Sequence, residues 1–143
     1  MKPPILLRSA SILTFIHAGL HTFGGLLSAP SHGPEEITVL NAMKSFRFEF
    51  MGSPRTYWDF YFGFGLFLTV SLLLQAVLLW QLASLTKSDP DKARPFIAAL
   101  LIAFIAAVVL SWRFFFIAPL VTEALIAILI GLAYVLTRPR SSD

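Results

Sequence analysis

Cysteine is absent from this chain of 143 residues, and charge is scarce, with Asp, Glu, Lys and Arg making up only 13%. The first absence excludes a disulfide framework, a thiolate metal site and a thiol nucleophile, and says nothing of redox compartment. The second, against about a quarter charged in an ordinary soluble domain, makes a water-soluble globule a poor fit. Lys and Arg number 11 against 8 Asp and Glu, a net charge of +3 that is too small and too scattered for a nucleic-acid footprint. Reaction signatures are missing as well. There is no HExxH, GxSxG, Walker or dinucleotide fingerprint, so no standard hydrolase or nucleotide enzyme is indicated.

What is present is apolar: 57% of the residues are hydrophobic and the mean hydropathy is +0.76. A soluble domain of this length buries only about 70% of its unfolded surface, too little to hide so much Leu, Ile and Phe. The natural solvent is lipid. No charge falls between Arg8 and Glu35 or between Asp59 and Lys87, and each gap exceeds the ~20 residues that cross a bilayer. Trp58 and Trp80 mark the ends of the second, about 33 Å apart along a helix. From Pro95 to Thr137 the only charges are Arg113 and Glu123, and the stretch accommodates two spans, the second opened by Pro119. The expected fold is all-α, an integral-membrane four-helix bundle in a single domain, 1–143, with spans at about 9–28, 57–82, 95–114 and 119–137.

Lys2 and Arg8 before an apolar run imitate a signal peptide, but the run is too long, holds His17 and His21 and lacks a clean small-x-small site, so an uncleaved span is expected. Counting Lys and Arg places the N- and C-termini in the cytoplasm, with Lys2, Arg8, Lys87, Lys92, Arg94, Arg138 and Arg140 inside and Lys44, Arg47, Arg55 and Arg113 outside. The polar connection 84–95 then faces inward and the loop 29–56 outward. In that loop Val39, Ala42, Met43, Phe46 and Phe50 share one helical sector, predicting an interfacial amphipathic helix over about 36–51. Phe46, Phe48 and Phe50 also alternate with Arg47 and Glu49 as in a strand, but a lone strand leaves its backbone unpaired near lipid, and the helix is preferred.

Ionisable groups within spans are costly and become candidate ligand-binding residues. They are His17 and His21 in the first span, Asp59 at the start of the second, Arg113 near the end of the third and Glu123 in the fourth, with Tyr57 and Trp58 as interfacial aromatics beside them. His17, His21, Gly24, Gly25 and Ser28 form one small polar face expected to point inward. Two His on one helix are too few for a usual metal site, and no metal is assigned. Ala99, Ala103, Ala106, Leu110 and Arg113 line one side of the third helix, and Glu123, Ala127, Gly131 and Tyr134 one side of the fourth, so Arg113 and Glu123 are expected to face other helices and to pair across the outer turn. His21, Asp59, Arg113 and Glu123 then converge in the outer leaflet beneath the loop helix, and catalytic residues cannot be named.

This layout, with HAGLHTFGG and SPRTYWDFYFGFG as its most distinctive segments, resembles the small DoxX-like group of bacterial four-helix membrane proteins, closest to members of unknown function. The resemblance implies a bacterial inner-membrane setting and, for some members, quinone-linked redox chemistry, although no residue here demands a quinone. The expected function is binding of a lipophilic, quinone-like or lipid-like molecule in the outer half of the bundle. Membrane lipids are the expected surroundings, with no nucleic acid. The alternatives are an accessory or assembly subunit of a larger membrane complex, and a membrane enzyme using His and carboxylate acid–base chemistry; the partners considered are another copy of the chain or another membrane protein.

Overall fold

The computed structural model describes residues 2–137; Arg138 and Arg140, two of the charges that set the expected orientation, lie outside them. The elements in order are α1 (Pro3–Gly19), continued by a π-helical segment (Leu20–Leu26), α2 (Pro34–Ser45), β1 (Arg47–Phe50), β2 (Ser53–Thr56), α3 (Tyr57–Ser88), α4 (Pro90–Phe114) and α5 (Ile117–Leu136). Among the described residues, α3, α4 and α5 are long and apolar enough to cross a membrane. Their apolar side chains point outward: Phe67, Trp112 and Val135 are 75%, 77% and 70% exposed. Outward-facing hydrophobics on this scale suit a surface that contacts lipid or another protein.

The chain divides into two compact units, one formed by residues up to His17 together with those from Leu72 onward, the other by Ala18–Ser71. The first has a buried core drawn from four helical segments: Leu6, Leu7 and Ala10 of α1, Leu79 and Ala83 of α3, Ile97 and Phe104 of α4, and Ile126, Ile130 and Ala133 of α5. Alanines recur in that core and let the helix backbones approach closely. Ser11 adds a hydrogen bond from its hydroxyl to the Ala76 carbonyl, 2.7 Å. At the C-terminus of α5, the Arg94 guanidinium donates to the carbonyls of Tyr134 and Thr137 and lies 4.3 Å from the Tyr134 ring centroid. It thereby occupies last-turn carbonyls that the helix itself leaves open.

The connection between α3 and α4 is shorter than its polar sequence implies. Asp89 alone separates the helices; its side chain accepts from the Lys92 backbone N–H at 3.2 Å, with Pro90 as the first helical residue. An Asp-Pro pair is a helix start, so α4 begins at Pro90 and carries Pro95 internally rather than opening there. Pro119 sits in the first turn of α5, where its missing N–H has no intrahelical acceptor.

In the second unit the loop helix ends early. The helix expected over 36–51 stops at Ser45, and residues 47–50 form the strand that the Phe alternation had indicated. The objection to a lone strand fails because Ser53–Thr56 pairs with it, in register Arg47↔Thr56, Phe48↔Arg55, Glu49↔Pro54 and Phe50↔Ser53. Met51 and Gly52 make the turn with φ of 51° and 77°. Positive φ at both central residues is the hairpin turn that matches strand twist. In this register Pro54 occupies a non-hydrogen-bonded pair, where its lack of an N–H does no harm. Phe46 and Phe48 pack on Tyr57, with centroids 6.0 and 4.9 Å away, and Phe50 meets Phe60 edge-on at 5.4 Å.

Nothing lies within 4 Å of a Cβ added to Gly52, so its replacement tests backbone strain alone. Gly52→Ala should cost about 1–2 kcal/mol in hairpin stability, whereas Met51→Asn, a residue that tolerates positive φ, should be neutral or stabilising. Amide hydrogen exchange across 47–56 measures both; equal protection in both variants would contradict the turn.

The start of α2 carries a pH dependence. Glu36 accepts from the His32 and Ser31 backbone N–H groups, each at 2.7 Å. The His32 N–H bond, aided by the His32 ring and by Ser31, holds this carboxyl below its usual range. A depressed folded-state value contributes stability above the unfolded value that is lost as pH falls through the folded one. Protection of the Ser31 and His32 amides should therefore vanish on acidification below the ordinary Glu range and be absent at neutral pH in Glu36→Ala; unchanged exchange in either case would contradict this cap.

Candidate functional site

His17, Arg113 and Glu123 belong to the first unit, and His21, Tyr57, Trp58 and Asp59 to the second. Each set has its own chemistry.

In the first unit, His17 is buried on the same face of α1 as Thr14 and Ala10. Glu123 is buried on α5 with the Ser111 hydroxyl of α4 beside its carboxyl. Its Oε2 has no hydrogen-bond partner among the described residues. The expected ion pair is absent among them. Arg113 is exposed, with its guanidinium 5.3 Å from the Phe114 ring centroid. The cause is the face that α4 turns inward: Ala93, Ile97, Phe104 and Ser111 are buried, while Ala99, Ala103, Ala106 and Leu110 are exposed. At about 100° per residue, Arg113 points some 200° away from Ser111, so the partner that reaches Glu123 is the serine. The small-residue stripe therefore lies on the outer side of α4. On α5 the stripe flanks the core, Glu123 being buried and Ala127, Gly131 and Tyr134 half-buried.

In the second unit, His21 Nε2 lies 3.0 Å from the Gly65 carbonyl oxygen. A carbonyl only accepts, so the proton sits on Nε2. The Thr22 and Thr69 hydroxyls meet at 2.9 Å one turn further along α3. A Cβ on Gly65 would collide with the Leu26 side chain, so glycine is what allows this close approach. The π-helical segment explains why Gly24 and Gly25 are exposed instead of continuing the His17–His21 face: its wider turn, closed by Leu27 N–H to Thr22 C=O at 2.8 Å, shifts later residues out of phase and brings Leu26 inward.

Asp59 is a helix cap. Its Oδ2 accepts from the Thr56 backbone N–H at 2.8 Å, while Thr56 Oγ1 accepts from the Asp59 N–H at 3.1 Å. This reciprocal Thr-x-x-Asp arrangement satisfies two donors at the start of α3. Tyr57 faces the hairpin phenylalanines; Trp58 packs with Tyr61 and Phe62, at 5.5 and 5.8 Å.

Beside the cap lies a cleft of about 180 Å³ lined by Lys44, Arg47, Pro54, Arg55, Thr56, Trp58 and Asp59. Lys44 Nζ sits 4.5 Å from the Trp58 ring centroid, and Arg55 Nη1 donates to the Pro54 carbonyl at 2.7 Å. None of the three cations lies within 4.0 Å of a carboxylate among the described residues; the ion pairs found there are His32–Glu36 and Lys92–Asp89. In the sequence Lys44, Arg47 and Arg55 stand out only as loop charges. The missed signal was Met-Gly between FEF and SPRT, since the hairpin it closes returns Arg55 to the neighbourhood of Arg47 and Lys44. Among the described residues no group of three His, Asp or Glu could hold a metal ion.

These assignments separate cap from surface charge. Thr56→Val should destabilise the protein by about 1 kcal/mol, as for a lost N-cap, Asp59→Ala should lower stability in the same direction, and the double variant should cost little more than Thr56→Val alone. Arg113→Gln should melt within about 0.5 kcal/mol of wild type. Additive losses at 56 and 59, or a large loss at Arg113, would contradict the geometry. Compared with family models, with curated proteins and with solved structures, the chain matches none.

Proposed function

We propose that this chain is a small multi-pass membrane protein that binds a lipid-like amphiphile at the N-terminal end of α3. One observation carries the reading: a polar cleft and an aromatic cluster are built side by side from the hairpin and the first turns of a helix able to cross a membrane. An amphiphile needs that combination, a place for its polar head next to apolar rings for its chain. Tyr and Trp at this position also favour the headgroup level of a bilayer.

The same proposal includes four membrane-crossing segments, with α1 and its π-helical continuation as the first, a bacterial inner membrane, cytoplasmic termini and α2 resting on the outer surface. The resemblance to the small DoxX-like group belongs here too. His17 and Glu123 in the first unit, and His21 in the second, are each kept as candidate ligand-binding positions. The outward Ala99, Ala103 and Ala106 of α4 favour a second reading, an accessory subunit, because small residues are where another membrane helix packs closely.

Purification in mild detergent followed by mass spectrometry of co-extracted lipids tests the first reading. One amphiphile class should be enriched over the surrounding membrane and reduced in Phe48→Ser or Trp58→Ala. Recovery of bulk lipids alone, together with a stoichiometric partner crosslinked at Ala103 in native membranes, would favour the second.

A further inference from the structure

We propose that the cleft formed by Lys44, Arg47 and Arg55 holds a phosphate group, the headgroup of a phosphate-bearing amphiphile. The inference rests on the reading of this chain as an amphiphile binder and specifies the chemistry of the head.

Three cations and one carboxylate line the cleft. The carboxylate is already engaged, since Asp59 Oδ2 accepts from the Thr56 N–H at 2.8 Å and faces the positive end of α3. The helix start is thus satisfied from within, and it is the side-chain cations that remain for a ligand. None of them has a carboxylate partner within 4.0 Å among the described residues. A formal excess of two positive charges suits a phosphate monoester or diester better than a single carboxylate, and two guanidinium forks with one ammonium supply the donor types that such oxygens take.

Size and place agree with this assignment. At ~30 Å³ per water, a cleft of about 180 Å³ has room for a tetrahedral anion with its ester oxygen and some water. Lys44 is steadied over Trp58 at 4.5 Å, and Arg55 by its bond to the Pro54 carbonyl. Two of the three cations are therefore positioned before a ligand arrives, which lowers the ordering cost of binding. The hairpin register places Arg47 opposite Thr56, so the same ladder that caps α3 also brings the third cation to the rim.

The test is native mass spectrometry of the full chain in detergent, titrated with phosphatidic acid, phosphatidylglycerol, a diacylglycerol of matched chains, a quinone and inorganic phosphate. The phosphate lipids should bind at least about tenfold more tightly than diacylglycerol or quinone, and added salt should weaken them. K44Q/R47Q/R55Q should reduce phosphate lipids to the diacylglycerol level; the charge-preserving K44R/R47K/R55K should retain most of the preference, and K87Q/K92Q all of it. Melting curves of the two triple variants distinguish lost binding from lost folding, and if the neutral triple variant fails to fold, the salt dependence and headgroup preference of the wild type decide. Equal binding of phosphate-bearing and phosphate-free amphiphiles would overturn the headgroup assignment while leaving amphiphile binding intact. Binding of inorganic phosphate without any amphiphile would keep the cleft's chemistry and remove the lipid as its source. Binding of none of these probes would overturn both the inference and the reading beneath it.

Discussion

A helix that enters lipid must have its terminal N–H groups satisfied by protein, because hydrocarbon offers no acceptor. In this chain α3, long and apolar enough to cross a membrane, has its first donors met by the reciprocal bonds between Thr56 and Asp59. Thr56 is also the last residue of β2, paired with Arg47. The cap therefore depends on the hairpin, and the hairpin on a two-residue turn with positive φ at both positions. Cleft, aromatic cluster and helix start are consequences of one local structure. Its aromatic pairs are each worth only about 0.5–1.5 kcal/mol beyond their buried area, but they pack the hairpin whose second strand ends in the capping Thr56.

The same economy of polar groups governs the other compact unit. The Arg94 guanidinium serves the last carbonyls of α5, and Asp89 serves the first turn of α4. Ser111 stands beside Glu123 within a core that is otherwise mostly Ala, Leu and Ile. Where no such service is needed the surface is left apolar. Arg113 follows the complementary rule: it lies near the end of α4, outside the core, with its charge kept at the exposed face.

Three apolar helices were legible from uncharged runs alone, since hydropathy over ~20 residues is a strong and local signal. Their ends were less so. Lys87, Lys92 and Pro95 read as a polar turn, yet Asp89-Pro90 restarts the helix at once, and capping chemistry outranked composition. Two faces were misplaced for geometric reasons. The alanines of α4 looked like a packing stripe, but the larger Ile97 and Phe104 took the core, leaving the alanines and Arg113 outside. The His17–Gly25 stripe assumed an uninterrupted α-helix, and the π-helical turn broke its phase. Asp59 stands out in the sequence as a carboxylate at the start of an apolar run, and the structure adds that it caps α3. The cationic cleft was invisible because it depends on the register of a hairpin whose second strand, Ser-Pro-Arg-Thr, has little strand character of its own.

The central claim is that residues 46–60 form a folded headpiece, and that the cleft exists because the hairpin is closed over the start of α3. Hydrogen–deuterium exchange of the full chain in lipid nanodiscs tests it most directly. A closed hairpin predicts slow exchange at the ladder amides of Phe48, Phe50, Ser53 and Arg55 and at the capping amides of Thr56 and Asp59, with faster exchange at Ala29 and Gly33. Exchange of 47–56 as fast as that of an unstructured loop would contradict the headpiece and, with it, the cleft.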